Sequence, residues 1–330
     1  MANNTRLEGT IVKEYLEKFP NGSLASLSRK IYKDNKAVFR DSEQIRNLLR
    51  YYTGANGKSC KKIAQKAGSI IVRENSWGIP KTETISKEPY KIPVKNDKVL
   101  VISDLHMPYH DEDAIETALK YGLRKEVNTI IINGDLFDFY KLSRFEKDPR
   151  KRDFAYEIEC GKIFLRRLRE LFPDALIVYY LGNHDLWYKR FLYAKAPELL
   201  GLAEVELNYI LGVNELGIVY LDNSRGITLG DLNIRHGHEF FGAGGVHPAR
   251  TYYLKAKANI LVGHVHRTSF FQANDIKRKI HGGWSTGCLS DLSPDYNINS
   301  EYNHGCAYIE TQRDGSFVVE NKMILNKKLL

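Results

Sequence analysis

The feature that most constrains this sequence is an apolar run over residues 99–102 that leads through Ser103 into Asp104-Leu105-His106. A short uninterrupted apolar run is typical of a strand buried within a parallel sheet. Binding sites of open α/β sheets lie beyond the carboxyl ends of such strands. Because alternate side chains of an extended chain lie on the same side, Asp104 and His106 are predicted to project together into a cleft.

The rest of the chain repeats this arrangement of strand and polar turn. Further strands are predicted over 129–132, 175–181, 218–221, 226–229, 232–235 and 260–262. Helices are predicted over 112–124 and 153–171, and the tail from 279 to 322 has the pattern of β-structure. This alternation of strand and helix indicates an α/β fold.

Side chains of metal-ligand type end five of these runs, usually beside a glycine. They are Asp104, His106, Asp135, Asn183, His236, His264 and His266. Each has an ordinary explanation when taken singly, because a strand-end aspartate often caps a helix; their joint placement favours a metal site. Mixed carboxylate and imidazole ligands suit manganese, iron or zinc better than magnesium or calcium. Two such ions about 3.5–4 Å apart need a bridging carboxylate and activate a shared water as hydroxide.

Five short motifs carry a family resemblance. They are Asp-x-His at 104–106, Gly-Asp-x-x-Asp at 134–138, Gly-Asn-His-Asp at 182–185, His-Gly-His at 236–238 and Gly-His-x-His at 263–266. In this order, within residues 98–310, they resemble the signature blocks of the calcineurin-like metallophosphoesterase superfamily. The resemblance implies a four-layer α/β/β/α sandwich with a dimetal site at the carboxyl ends of the strands, and hydrolysis of phosphoesters.

The resemblance also implies a set of metal ligands. The first metal would be held by Asp104, His106, Asp135 and His266, and the second by Asp135, Asn183, His236 and His264. Asp135 would therefore bridge the two ions.

The resemblance assigns supporting roles to neighbouring residues. His184 would not be a ligand, but would stabilise the phosphoryl oxygens or protonate the leaving oxygen. Asp185 would orient the His184 ring through a hydrogen bond to its ring nitrogen. Asp138 would support the metal ligands from behind. The role of His238 stays open, and His236 is the preferred ligand of its motif because it directly follows the strand run.

The function predicted on this basis is hydrolysis of phosphodiester bonds, of nucleic acid or nucleotides, by in-line attack of a hydroxide that bridges two metal ions. A phosphomonoesterase or protein phosphatase is the alternative within the same chemistry. A non-catalytic binding protein on the same fold is less favoured, because every expected ligand position is filled.

Positive charge is concentrated in the first third of the chain. The net charge is +9; residues 1–98 hold 20 lysines and arginines against 10 acidic residues, and the remainder holds 29 against 30. A basic segment of this kind favours an acidic partner, nucleic acid first. A solvated surface that keeps the chain soluble is the alternative.

Three regions are expected along the chain. Residues 1–66 are predicted to form a basic three-helix domain, with helices over 9–18, after an N-cap at Ser23, and from near 41–42. This domain is interpreted as helix-turn-helix-like, with a helical cap or docking domain as the alternative. Residues 67–97 are predicted to be a linker or extended arm, and 98–330 the catalytic domain. The arrangement resembles phosphoesterases of phages and mobile elements.

Cations and aromatic residues near the motifs are candidate substrate contacts. They are Arg144, Lys147, Arg150, Trp187 and Arg250. This mixture of residue types contacts phosphate backbones and stacked bases in nucleic-acid-binding proteins. An ordinary amphipathic surface is the alternative.

Composition argues against several classes of protein. No apolar run reaches 18 residues, so no membrane span is expected, and the first residues lack the apolar core of a secretory signal. The four cysteines are scattered and form no C-x-x-C, which argues against a disulfide framework or a zinc ribbon. A reducing cytoplasm is therefore expected, which would be the host cytoplasm for a phage protein.

Overall fold

The computed structural model describes residues 2–20, 22–53, 87–143, 153–294 and 300–330. The chain forms two compact units, Met1–Thr84 and Ile85–Leu330. Among the helices of these described residues, none is long and apolar enough to cross a membrane.

Three helices make up the described part of the first unit: α1 (Ala2–Lys18), α2 (Leu24–Asp34) and α3 (Ser42–Thr53). The Ser23 side chain accepts a hydrogen bond from the Ser26 amide at 3.2 Å, so Ser23 is the N-cap of α2, as predicted. Apolar side chains spaced three or four residues apart, such as Ile31 on α2 and Ile45 on α3, are fully buried in a shared core. The helices of the predicted small all-α domain are therefore present.

The connection between α2 and α3 differs from a helix-turn-helix. Residues 35–41 separate the two helices, whereas that motif has a turn of about three or four residues. The ion pairs of this unit are Lys30–Asp34, Arg40–Asp41 and Arg46–Glu43. Lys33, Lys36 and Arg50 are exposed and pair with no acidic side chain among the described residues.

The second unit combines two sheets with helices. Its strands are β1 (Tyr90–Lys91), β2 (Lys98–Ile102), β3 (Thr129–Asn133), β4 (Leu176–Tyr180), β5 (Ile218–Leu221), β6 (Ile227–Leu229), β7 (Leu232–Ile234), β8 (Ile260–Val262), β9 (Ser269–Asn274), β10 (Ile280–Ser285), β11 (His304–Thr311), β12 (Phe317–Leu325) and β13 (Lys328–Leu329). Its helices are α4 (Glu112–Arg124), α5 (Phe154–Leu171), α6 (Asp185–Lys195), α7 (Leu207–Ile210) and α8 (Pro248–Ala256). Short 3-10 helices cover Tyr140–Leu142, Pro197–Leu199 and Ala203–Val205.

The larger sheet has the strand order β13-β12-β11-β2-β3-β4-β5. Strands β2 to β5 run parallel, so their carboxyl ends lie at one edge. Every residue of β3 is buried, as expected of a parallel strand covered on both faces. The first three sequence motifs follow β2, β3 and β4 at this edge.

The smaller sheet has the order β1-β6-β7-β8-β10-β9. Strands β7 and β8 are parallel neighbours, with Ile234 paired to Leu261. The two histidine motifs follow these strands, so they begin side by side at one edge of this sheet.

Three apolar cores hold four layers together. Ile130 on one face of β3 packs with Leu165 and other residues of the helices that cover the larger sheet. The next residue, Ile131, faces the opposite side and packs with Leu261 between the two sheets. Tyr252 of α8 packs against the outer face of the smaller sheet. The predicted four-layer α/β/β/α sandwich is confirmed.

Residues 87–97 contribute to the second unit. Strand β1 pairs in parallel with β6, with Tyr90 opposite Ile227, and Ile92 is buried between the sheets. The described end of the segment predicted as a linker or extended arm is thus part of the smaller sheet. The other predicted boundary, near 66, lies outside the described residues.

Prediction was best for strongly apolar segments. The predicted helix over 112–124 and the predicted strands over 218–221 and 260–262 have the observed bounds. Helices α6 and α8 and strand β9 were not predicted. In α6 the charged residues Lys189 and Arg190 interrupt the apolar pattern, so its helical face is indistinct in the sequence.

Candidate metal centre

Side chains of metal-ligand type converge at the edge where the strands end, in three overlapping groups. The groups are Asp104, His106 and His266; His106, Asp135 and His184; and Asp135, His236 and His264. Within each group the ligand atoms lie within 4.8 Å of one another. Because Asp135 and His106 each belong to two groups, the three groups form one continuous cluster.

Five of these side chains project from left-handed backbone. The φ angles are 56° at Asp104, 50° at His106, 51° at Asp135, 65° at His264 and 55° at His266. Such conformations are uncommon outside glycine and unfavourable by about 1–3 kcal/mol each. Each residue lies two or four positions after the end of β2, β3 or β8, so the same sharp turn is repeated. Strain of this kind persists only where the surrounding structure holds it, and it clusters at functional sites.

Asp104 is buried and fixed by donors from two segments of the chain. Its carboxylate accepts a hydrogen bond from the Ser103 hydroxyl at 2.6 Å and from the His264 amide at 2.9 Å. Its Oδ1 lies 3.2 Å from Nε2 of His266. Burial by itself raises the pKa of this carboxyl, but His266 and His236 together outweigh burial and hold the pKa below its usual range.

The His106 ring is oriented by a carboxylate behind it. Nδ1 lies 3.3 Å from Oδ1 of Asp138, and Nε2 lies 3.2 Å from Nε2 of His266. With the Nδ1 proton donated to Asp138, the lone pair of Nε2 faces the cluster. This is the usual arrangement of a metal-binding imidazole with an orienting partner, and it places Asp138 behind a candidate ligand.

The His236 ring is fixed by the backbone. Its Nδ1 donates to the Asn133 carbonyl at 2.7 Å, so Nε2 is the nitrogen that faces the cluster, where it donates to Oδ2 of Asp135 at 3.1 Å. A Cβ atom at Gly134 would lie 2.2 Å from Nδ1 of His236, so only glycine fits beside the ring. Burial lowers the pKa of His236, but the Asp135 and Asp104 carboxylates and the Asn133 carbonyl together outweigh burial and raise that pKa to about 10.

Asn183 provides the test of whether a metal fits this cluster. Its Oδ1 is shielded from solvent and accepts no hydrogen bond from any described residue. A buried acceptor left without a donor is unfavourable by about 1–3 kcal/mol, and a neighbouring cation would satisfy it. Amide oxygen, carboxylates and oriented imidazole lone pairs together suit divalent transition metals. The residues present therefore fit the ions that the motifs imply.

His184 lies against the cluster with its ring held on two sides. Its Nδ1 donates to the Asp138 carbonyl at 2.6 Å, and its ring centroid lies 3.9 Å from that of Trp187. The ring also meets His106 edge-on, with centroids 4.5 Å apart. Burial lowers the pKa of His184 to about 3, so the ring is neutral at neutral pH.

The predicted hydrogen bond from Asp185 to the His184 ring is wrong. The Asp185 carboxylate accepts instead from three backbone amides: Asp135 at 2.9 Å, Phe137 at 3.2 Å and Gly182 at 2.9 Å. Asp185 begins helix α6, and its side chain folds back under the two loops rather than toward the ring. The orienting partner of His184 is the Asp138 carbonyl, which sequence patterns do not reveal. Asp185 thus joins the loops that carry Asp135 and Asn183.

His238 lies beside the metal-ligand groups. Its ring centroid is 5.4 Å from that of His236 and 6.2 Å from that of His264. The Asn223 side-chain amide donates to Nε2 of His238 at 3.1 Å. This contact connects the His-Gly-His motif with the loop that follows β5.

Glu239 and Tyr180 support the same motif and were not predicted. Glu239 accepts a hydrogen bond from the Tyr180 hydroxyl at 2.6 Å and from the Gly237 amide at 2.7 Å. Glu239 could have been identified from the sequence, because it directly follows the His-Gly-His motif. Tyr180 could not, because in the sequence it is indistinguishable from the last apolar residue of a buried strand.

The predicted substrate contacts are dispersed. Arg144, Lys147 and Arg150 lie outside the described residues. Trp187 packs on His184, next to the cluster. Arg250 lies on α8 with its guanidinium 5.8 Å from the centroid of Phe271, in the layer outside the smaller sheet.

Comparison with known proteins identifies the family. The model of the family described as calcineurin-like phosphoesterase matches residues 97–298, more than half of the chain. No curated protein sequence matches the chain.

Several solved structures resemble the chain at low sequence identity. Vps29 from Chaetomium thermophilum is 14% identical, with a TM-score of 0.38 over 71% of this chain and 95% of that chain. Vacuolar Protein Sorting 29 from Cryptosporidium parvum is 14% identical, with a TM-score of 0.34 over 69% and 97%. YfcE, a phosphoesterase from E. coli, is 15% identical, with a TM-score of 0.33 over 67% and 96%. Membership rests on the match to the family model, which spans all five motifs: the chain is a metallophosphoesterase of the calcineurin-like phosphoesterase family.

Proposed function

We propose that this metallophosphoesterase hydrolyses phosphodiester bonds of nucleic acid or nucleotides with two divalent cations, manganese first among them. The observation that carries the proposal is the position of Asp135. Its carboxylate lies within 4.8 Å of His106 in one group of ligand-type atoms and of His236 and His264 in another, and a carboxylate between two such sets can bridge two ions.

Two sets of ligands are proposed around this shared carboxylate. The first position would be held by Asp104, His106, Asp135 and His266, and the second by Asp135, Asn183, His236 and His264. The orphaned oxygen of Asn183 and the orientation of the Nε2 atoms of His106 and His236 toward the cluster support this division. When bound, the two cations supply an activated water and neutralise the charge of the phosphate.

His184 is proposed to act on the substrate and not on the metals. Because its Nδ1 proton is donated to the Asp138 carbonyl, its other nitrogen, Nε2, is the one available to substrate. An anionic phosphate beside the ring would favour the protonated form and raise the pKa of His184. The ring would then hydrogen bond a phosphoryl oxygen, or pass a proton to the leaving oxygen, only when substrate is present.

The charge distribution favours a polyanionic substrate. Residues 1–98 carry twice as many basic as acidic residues, whereas the rest of the chain is nearly neutral. In the first unit, Lys33, Lys36 and Arg50 are exposed and pair with no described acid. Exposed cations of this kind contact phosphate backbones without reading sequence.

The test is hydrolysis by metal-stripped full-length protein reloaded with Mn²⁺. Bis-p-nitrophenyl phosphate, p-nitrophenyl phosphate, and labelled single- and double-stranded DNA are compared side by side, with a chelator-treated sample as the control. Cleavage of the diester and of DNA, with DNA cleavage falling steeply as salt rises, is the expected result. Cleavage of the monoester alone would make the protein a phosphatase and refute the proposal.

A further inference from the structure

A second concave site lies at the same sheet edge, one strand beyond the candidate metal centre. A cavity of about 850 Å³ opens at the carboxyl ends of β4 and β5, against helix α6. Leu181 and Leu221 at the ends of these strands line it, together with the rings of Tyr188 and Tyr220. We call this cavity the β5 cleft. An apolar and aromatic lining with a few polar groups is typical of ligand sites.

The β5 cleft and the metal cluster are close neighbours. Asp135 follows β3, and β3, β4 and β5 are adjacent in the sheet, so two strand spacings, about 10 Å, separate the two sites. Asn223 lines the cleft and donates to His238 beside the metal ligands. A chain-like substrate bound at the metal cluster would therefore reach the cleft within one or two repeating units.

The rim of the β5 cleft carries unpaired positive charge. Lys87, Lys189, Arg190 and Arg225 line it, and none forms an ion pair with a described residue. Four cations around one cavity, each without an ion-pair partner among the described residues, raise the local positive potential and favour an anionic occupant.

Two of the three acidic residues in the lining are already engaged. The Asp185 carboxylate accepts from three backbone amides, as described above. Asp222 accepts from the backbone amide of Ser224 at 3.0 Å, and also from its hydroxyl. These hydrogen bonds leave the carboxylate charges in place, so the described lining holds four cations against three carboxylates, of which Asp185 is buried beneath the loops.

An aromatic ring on the rim is open to stacking. Tyr193 is 55% exposed and lines the cleft, with Nζ of Lys189 5.9 Å from its ring centroid. Exposed aromatic rings beside cations are the usual platform for the bases of single strands. In a duplex the base faces are already stacked on one another, so such a ring would have nothing to receive.

We propose that the β5 cleft binds the nucleotides next to the scissile phosphodiester of a single-stranded nucleic acid. Arg190 and Arg225 contact the backbone phosphates, and Tyr193 stacks on a base. This inference rests on the proposed function and narrows its substrate to a single strand that extends past the metal cluster.

The first experiment measures binding without catalysis. Full-length protein in chelator is titrated with a fluorescein-labelled oligothymidylate at several salt concentrations, and affinity is read by fluorescence anisotropy. The double variant R190Q/R225Q is compared with K277Q/R313Q, which removes two exposed cations outside the cleft. For single strands the slope of log affinity against log salt falls by about 0.7 for each phosphate that is no longer neutralised, so a reduction of about 1.4 is expected in R190Q/R225Q alone.

The second experiment measures selectivity in the manganese-loaded protein. The ratio of kcat/KM for the oligonucleotide to kcat/KM for bis-p-nitrophenyl phosphate is expected to fall at least tenfold in R190Q/R225Q. Y193A is expected to lower the ratio as well, and Y193F to restore it, because the ring alone is needed for stacking.

The two proposals fail in different ways. Equal salt slopes in the two double variants, or an unchanged selectivity ratio, would overturn the role of the cleft even if the protein cleaves DNA. Failure of the wild-type protein to hydrolyse any diester would overturn the proposed function. The binding experiment alone would then show whether the β5 cleft binds single-stranded nucleic acid.

Discussion

The metal cluster and the N-terminal helical unit differ in the burial and pairing of their charged side chains. In the cluster, Asp104 and Asp135 are buried among imidazoles, and hydrogen bonds fix the Asp104 carboxylate and the His236 ring. In the helical unit, Lys33, Lys36 and Arg50 are exposed and have no paired acid among the described residues. Removing one member of a group of buried charges leaves its partner uncompensated and disrupts the whole group. Exposed charges contribute to binding independently, and their effects add. Chemistry is therefore expected from the first region and affinity from the second.

The strongest test of this contrast removes the shared carboxylate. In Asp135→Asn, hydrolysis of bis-p-nitrophenyl phosphate is expected to fall at least a thousandfold, about 4 kcal/mol of transition-state stabilisation, because both ligand groups lose a member. Metal content, measured by mass spectrometry of the desalted protein, should fall with it. Asp174→Asn, at an exposed loop position, is the control. Full metal content in Asp135→Asn would show that the carboxylate does not bridge.

Replacing the carboxylate beneath the loops tests whether support matters as much as ligation. Asp185→Asn keeps one acceptor oxygen but brings an amide group against backbone N–H donors. Loss of an orienting partner typically lowers metal affinity or activity about 10- to 100-fold, and that is the expected range for Mn²⁺ affinity by calorimetry. An unchanged affinity would mean that the three backbone hydrogen bonds are dispensable.

The buried imidazole predicts a pH dependence of stability. A histidine in the unfolded chain has a pKa near 6.5, whereas burial lowers the pKa of His184 to about 3. The unfolded chain therefore binds the proton more readily, and the stability of metal-free protein falls as pH drops from 6.5 toward 3. His184→Asn should lose about 2 kcal/mol less than wild type between pH 7 and pH 5, measured by urea unfolding in chelator. Parallel losses in the two proteins would contradict the lowered pKa.

The exposed region should respond to salt instead of losing activity outright. The triple variant K33Q/K36Q/R50Q is expected to reduce the salt slope of duplex DNA binding by about 0.9 for each phosphate that these cations neutralise in the wild-type protein. Single variants should show a third of the effect each, because these charges act independently. A salt slope equal to that of the wild-type protein would show that these three cations of the helical unit do not bind DNA phosphates.

The smallest expected effect concerns the helical unit's own stability. Ser23→Ala removes the acceptor that caps α2 and should destabilise this unit by about 1 kcal/mol in urea unfolding. Ser23→Asn keeps an acceptor and should lie close to wild type. Equal stability of all three proteins would show that α2 does not depend on its cap.

Much of the fold and of the candidate site could be predicted because the signals are local. Uninterrupted apolar runs mark buried parallel strands, and the polar residues after Ile102, Asn133 and Tyr180 mark their shared edge. What escaped prediction depends on contacts between distant segments. The carboxylate of Asp185 receives amides from two loops, and the orienting partner of His184 is a backbone carbonyl. No side-chain pattern encodes a backbone partner. The β5 cleft escaped for the same reason, since Lys87, Arg190 and Arg225 are far apart in sequence.

The hydrogen bonds of Asp185 couple the conformations of two loops. One loop carries Asp135 and the other carries Asn183, and a single carboxylate holds amides of both. A mutation that changes the backbone conformation of one loop is therefore expected to disturb the other. Side chains on the rim of the β5 cleft and in the helical unit make none of these bonds, so their effects should be separable from metal binding. A substitution that shifts one of the two loops should alter the candidate ligand on the other loop as well.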